Sequence, residues 1–143
     1  MTGPTVKKVM SEGVKTISAE STVKKAAEKM RKNGIRGLVA EDDGEIVGIV
    51  AGKDILYKVV AEGEDPSDVK VEDIMTEDVI ICYEYEEISE AAHKMIRNDI
   101  SRVPVITSGG EMLGMITQTN ILHTWPGYVE LLEEKASSGY TNL

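Results

Sequence analysis

Phenylalanine is absent from this 143-residue chain, and one tryptophan and five tyrosines are its only aromatics. A single-strand nucleic-acid binder stacks bases on aromatic platforms, so that class is disfavoured from the outset. The single cysteine, Cys82, excludes an internal disulfide, and two histidines give no cluster at metal-ligand spacing. No run approaches the roughly 18 apolar residues of a membrane helix. The start, Met1 to Gly13, carries lysines but no apolar signal core. These absences lead to the expectation of a cytoplasmic protein without a membrane, stabilised by packing alone.

A charged fraction of 29% and a hydrophobic fraction of 41% suit a globular chain of one domain or two small lobes. The net charge is −9, so the overall field repels nucleic acid and anionic membranes. The charge is unevenly spread: residues 1–40 carry nine Lys or Arg against three Glu, leaving seven basic and 22 acidic groups in the remainder.

An internal repeat organises the chain. Val9-Met10 recurs as Ile74-Met75, Val14 as Val79, Ala26-Ala27 as Ala91-Ala92, Met30 as Met95, Asn33 as Asn98 and Ile35 as Ile100, all at an offset of 65. After one extra residue near Gly109-Gly110 the offset becomes 66, pairing Gly48-Ile49-Val50 with Gly114-Met115-Ile116 and Ile55-Leu56 with Ile121-Leu122. Each copy reads as strand, helix, strand, strand, helix. Val23, Ala26, Ala27 and Met30 lie at i, i+3, i+4 and i+7, one face of a helix, as do Ile88, Ala91, Ala92 and Met95. Ser21 or Thr22 is a candidate N-cap, Gly34 a left-handed helix end, and Asp43-Gly44 a tight hairpin turn. Short helices are expected near Lys53 to Val60 and Thr119 to His123. The expected division is repeat 1 at 8–61, a polar linker at 62–72, repeat 2 at 73–123, and a helix with a frayed tail at 124–143, entered through Trp125-Pro126-Gly127.

With these features in place, residues 8 to 123 resemble a tandem pair of cystathionine β-synthase domains, a Bateman module. The resemblance rests on the β-α-β-β-α order, the twin Ala-Ala helices, the segment Ile100-Ser101-Arg102-Val103-Pro104-Val105, and the hairpin ends Gly48-Ile49-Val50-Ala51-Gly52-Lys53-Asp54 and Gly114-Met115-Ile116-Thr117-Gln118-Thr119-Asn120. It implies an α+β fold in which two pseudo-symmetric repeats pack into one module, with a pair of clefts between them. It also implies a stand-alone, non-catalytic sensor of adenosine-containing ligands such as AMP, ADP, ATP or S-adenosylmethionine, working as a homodimer and controlling an unnamed target protein. No cofactor, metal or catalytic residue is assigned.

Family motifs place a Thr or Ser for phosphate and, three residues later, an Asp for the ribose diol; neither copy has both. By this analogy the first cleft combines Ala51, Lys53 and Asp54 with Val79, Ile100, Ser101, Arg102 and Pro104. Asp54 would accept from two ribose hydroxyls, and Arg102 would present its planar donor fork to phosphate. Ala51 lacks the expected hydroxyl, a loss that binding should survive. In the second cleft Thr117 keeps the hydroxyl, Asn120 replaces the carboxylate, and Thr119 and Arg36 are available. Val14, Ile35 and Gly37 complete the ligand-binding set. The first cleft is therefore expected to bind more tightly, because hydrogen bonds to charged groups contribute about 1.5 to 3 kcal/mol and neutral ones about 0.5 to 1.5.

Each of these residues has an ordinary structural role as well. Asp54 can cap the helix it begins, Thr117 and Asn120 are common helix-entry residues, Arg102 can serve a surface ion pair, and Pro104 can stiffen a strand. Cys82 aligns with Ile17 and reads as a buried hydrophobe, and His93 has no catalytic companion. Lys24, Lys25, Lys29, Arg31 and Lys32 form a solvated basic face, which in a dimer would meet Glu86, Glu87 and Glu90 of a second copy. The segment from Trp125 onward either docks on a dimer mate or target or packs on its own lobe. A ligand-free interaction module is the rival function, followed by a nucleic-acid-binding regulator.

Overall fold

The computed structural model describes residues 3–137. It contains two three-stranded sheets and divides into two compact units, Lys15–Val79 and Met1–Val14 with Ile80–Leu143. Residues 138–143, where the sequence reading put the tail, lie outside the described residues.

In the unit spanning Lys15–Val79, strand β1 (Thr16–Ser18) runs parallel to β2 (Gly37–Asp42), which pairs antiparallel with β3 (Glu45–Ala51). Helix α2 (Val23–Asn33) joins β1 to β2. The Thr22 hydroxyl accepts from the Lys25 N–H at 3.2 Å and caps it, and Gly34 ends it at φ 62°. Its buried face is Val23, Ala26 and Met30, which pack with Leu38, Ala40 and Val50 of the sheet. Asp43 and Gly44 take φ values of 51° and 80° in the hairpin turn between β2 and β3, the backbone twist that matches flanking strands. Helix α3 (Gly52–Ile55) follows β3 directly and continues as a π-helical turn over Leu56–Val60, where Ala61 N–H reaches Leu56 O at 2.9 Å. The connector does not run free: Pro66 O and Val69 O accept from the Lys24 and Val23 N–H groups, satisfying two otherwise orphaned donors of α2. Val71 and Glu72 already belong to the next helix, α4 (Val71–Ile74).

The other unit repeats the plan. β4 (Cys82–Tyr83) runs parallel to β5 (Arg102–Ile106), which pairs antiparallel with β6 (Met112–Thr117); α5 (Ile88–Asn98) precedes β5 and α6 (Gln118–Thr124) follows β6. The match extends to detail. The register slips after Ala40 in one β2–β3 ladder and after Val105 in the other, and Asn33 and Asn98 each donate to the carbonyl four residues earlier. One addition distinguishes this unit, α7 (Gly127–Ser137), anchored by the buried Tyr128; α1 (Val6–Val9), whose Val6 is fully buried against Cys82, Ile88 and Ile121, is the counterpart of α4.

Spatial units and sequence repeats differ at their leading segments. The turn of helix that opens repeat 1, α1, is built into the unit of β4–β6, and α4, which opens repeat 2, into the unit of β1–β3. The short helices were not foreseen, although the recurrence of Val9-Met10 and Ile74-Met75 marked them. Each is followed by one antiparallel bridge, Ser11 to Met115 and Thr76 to Ile49, in which the paired residues exchange both N–H···O bonds at 2.8–3.0 Å. Glycine makes room for the crossing. A Cβ on Gly48 would lie 2.5 Å from Met75 Sδ, and one on Gly114 would lie 2.5 Å from Ser11 O.

Candidate functional site

The candidate residues form two equivalent half-sites, one in each unit. In both, the start of the middle strand lies beside the turn from the third strand into its helix. In the unit of β1–β3, Gly37 pairs with Ala51, and Gly52 N–H donates to Arg36 O at 2.9 Å. In the unit of β4–β6, Arg102 pairs with Thr117, and Gln118 N–H donates to Ser101 O at 2.8 Å. The structure therefore brings Ala51, Lys53 and Asp54 together with Ile35, Arg36 and Gly37. It likewise brings Thr117, Thr119 and Asn120 together with Ile100, Ser101 and Arg102. Val79 belongs to the first unit and Val14 to the second, and both are half-buried.

Asp54 is the one charged residue buried among the described residues, at 8% exposure. Burying a carboxylate is costly unless its oxygens are partnered. Here Oδ2 accepts the Ala51 N–H at 2.9 Å and Oδ1 lies 3.3 Å from Lys58 Nζ, one helical turn on. Lys58 is held in place by Ile74 O at 2.8 Å. Asp54 also sits in the first turn of α3, where the helix dipole favours an anion. Because Ala51 has no hydroxyl, only one arm of a capping box exists. Both Asp54 oxygens keep a second lone pair.

The equivalent turn is fully capped and neutral. Thr117 Oγ1 accepts the Asn120 N–H at 3.1 Å, and Asn120 Oδ1 accepts the Thr117 N–H at 2.9 Å, a reciprocal capping box. The Thr117 hydroxyl also donates to Asn120 Oδ1 at 2.9 Å, and Asn120 Nδ2 donates to Ser11 Oγ at 3.3 Å. The hydroxyl and amide of this turn thus already have local partners. The capping roles open at the sequence level are present in both half-sites.

The cations differ from their alternative reading. Arg102 is half-buried at the start of β5 and makes no ion pair among the described residues, whereas Arg36 and Lys53 are exposed. Pro104 is buried on β5 opposite Met115; it lacks the N–H that its equivalent Val39 donates to Lys15 O at 3.4 Å in the other unit, and the pairing with β4 begins one residue later, at Val105. Cys82 is fully buried, and burial pushes its thiol up to about 12 against a modest opposing pull from Lys94. It packs as a small hydrophobe. His93 Nδ1 donates to Ser89 O at 2.7 Å, on its own helix. Of the acidic group placed opposite the basic face, Glu86 is already engaged by Lys94 at 2.9 Å, leaving Glu87 and Glu90. No group of His, Cys, Asp and Glu among the described residues has the arrangement of a metal site.

The comparisons agree with this architecture. A model of the CBS domain matches residues 6–61 and again 71–127. An uncharacterized protein of Methanopyrus kandleri is 34% identical over 136 residues, 94% of this chain and 69% of that protein. L-aspartate semialdehyde sulfurtransferase of Methanosarcina acetivorans is 40% identical over 119 residues, which are 82% of this chain but 23% of the enzyme. Among solved structures, the CBS domain pair of protein MJ0100, in complex with 5′-methylthioadenosine and S-adenosyl-L-methionine, superposes with a TM-score of 0.76 at 30% identity, over 87% of this chain and 98% of that one. The chain belongs to the CBS-domain family and carries two CBS domains in tandem.

Proposed function

We propose that this chain is a regulatory module that senses an adenosine-containing ligand, with Asp54 as the ribose-recognising group, and thereby controls a partner protein. The observation that carries the reading is the buried Asp54 carboxylate, held at a strand-to-helix turn with acceptor capacity left on both oxygens. Support comes from the MJ0100 pair, whose two bound compounds share an adenosine. Arg36 and Lys53 beside Asp54, and Arg102 in the other half-site, are the groups proposed for phosphate or carboxylate tails. Regulation requires different affinities for two arrangements of the module, since a ligand that binds both equally shifts nothing. The proposed working form is a homodimer. Leu56, Tyr57 and Val60, more than half exposed along one stretch of helix, supply apolar surface for such association.

Thermal unfolding with AMP, ADP, ATP, S-adenosylmethionine and methylthioadenosine tests the reading. A ligand at 100 times its dissociation constant should stabilise the native state by about 2.7 kcal/mol. Asp54→Asn is the informative variant, because Asn120 already makes the same cap bond in the equivalent turn, so the fold is kept while the charge is lost. The expected outcome is a ligand-induced shift in the unmodified chain and affinity at least about tenfold weaker in the variant. A second reading, a ligand-free interaction module, draws on the fact that Asp54 already satisfies Ala51 and Lys58. Absence of a shift with every compound at saturation would select it.

A further inference from the structure

Helix α7 extends ten residues past the end of the second family match at residue 127. One stripe of it faces the unit of β4–β6: Tyr128, Leu131, Leu132 and Lys135, spaced i, i+3, i+4 and i+7. At its far end Lys135 Nζ donates to Ile96 O at 3.2 Å, in the last turn of α5, and to Asp99 Oδ1 at 2.9 Å. A cation at a helix C-terminus is favourable in itself. Asp99 is also one of two non-glycine residues at positive φ among those described, at 53°, a conformation strained for a residue with a Cβ. Ile100, Ser101 and Arg102, the strand side of the half-site, follow immediately.

The equivalent corner in the other unit needs no such support. At the offset of 65, Asp99 corresponds to Gly34, which adopts φ 62° without a Cβ, and Ile96 corresponds to the exposed Arg31, which would repel Lys135. Docking of α7 is therefore specific to one unit. Beneath the helix lies a cavity of about 190 Å³, with Ile100, Ser101 and Gln118 on one wall and Tyr128, Leu132 and Lys135 on the other. Ile100 and Ser101 of the half-site thus share this cavity with α7. The helix is anchored at Tyr128 and Lys135, with this cavity along its docked face.

We propose that α7 is a clamp on the Asp99 to Arg102 corner, with Lys135 as the positioning residue, so that docking of α7 and occupancy of this half-site are coupled. The coupling is reciprocal: a ligand that fixes the corner strengthens α7 docking, and a partner that lifts α7 away weakens the ligand. The ligand half of the proposal rests on the sensor reading above; the clamp itself does not.

Amide hydrogen exchange on the ligand-free chain tests the clamp. Lys135→Ala should speed exchange at Ile100 to Arg102 about fivefold, Lys135→Arg should restore protection, and Asp99→Gly, which copies Gly34, should make the corner indifferent to Lys135→Ala. Unchanged exchange at these three amides in Lys135→Ala, or an equal effect in the Asp99→Gly background, overturns it. For the coupling, Trp125, the single tryptophan and the entry to α7, reports docking by its fluorescence. Titration with AMP and S-adenosylmethionine should change its emission in the unmodified chain and less in Lys135→Ala. Calorimetric binding without any emission change overturns the coupling. Failure of every nucleotide to bind overturns both the sensor reading and the coupling, while the exchange measurement still decides the clamp.

Discussion

At the residue scale, Asp54 and Asn120 occupy matching positions and make the same bond to the backbone three residues earlier, at 2.9 Å in each case. What differs is charge and the completeness of the cap. Thr117→Ala should remove one arm of its capping box and cost about 1 kcal/mol in denaturant unfolding, whereas Ala51→Thr should gain a similar amount. Cys82 has a distinct pH signature. Burial raises its thiol from an ordinary 9.0 to about 12, so the native state holds the proton more tightly than the unfolded chain. The stability this represents is complete below pH 9 and is lost as pH rises from about 9 to about 12. Thermal scans across that range should show a decline that Cys82→Val reduces; identical slopes would contradict the assignment. The native thiol should also resist alkylation at pH 8 and react in denaturant. Much of this was readable in advance: alignment of Cys82 with Ile17 already marked the position as core. The bond from Thr117 to Asn120 was recognisable only as an option, because the same two side chains suit a cap and a ligand.

At the element scale, the strongest constraint is the passage of the two short leading segments across glycine. Gly114→Ala would place a methyl 2.5 Å from the Ser11 carbonyl oxygen, a backbone atom that cannot swing aside. Overpacking of this kind costs about 1 to 3 kcal/mol. Gly48→Ala meets the Met75 side chain first, at 2.5 Å from its sulfur, and a flexible thioether can give way. Gly114→Ala is therefore expected to lower the denaturation midpoint more than Gly48→Ala; the reverse order would show that the bridges are not limiting. The helices α2 and α5, the hairpins and α7 were all legible from period and turn residues. The helices α1 and α4 were not, because four residues carry too little periodicity to register.

At the scale of the whole molecule, charge is the readable quantity. A net −9 with the basic groups gathered in residues 1–40 predicts that any self-association through the face of Lys24, Lys25, Arg31 and Lys32 weakens as salt rises; Lys29, read from the sequence as part of that face, instead donates to Thr16 O. Sedimentation at low and high ionic strength measures this. A dimerisation constant indifferent to salt would instead point to apolar contact, for which Leu56, Tyr57 and Val60 are the exposed candidates. No helix among the described residues is long and apolar enough to cross a membrane.

By itself the sequence determined the duplication, the order of the strands and longer helices and the family, because hydrophobic period and turn chemistry are local and the two copies state them twice. Only the tertiary structure decided which residues meet. Local pattern cannot show that repeat 1 opens in one unit and builds its sheet in the other, since that depends on contacts more than a hundred residues apart, such as Ser11 with Met115. Nor can it show that Asp54 is buried on Lys58 and that Lys135 reaches back to Asp99. Burial and pairing of charges are properties of packed surfaces, and the chain acquires them only when it folds.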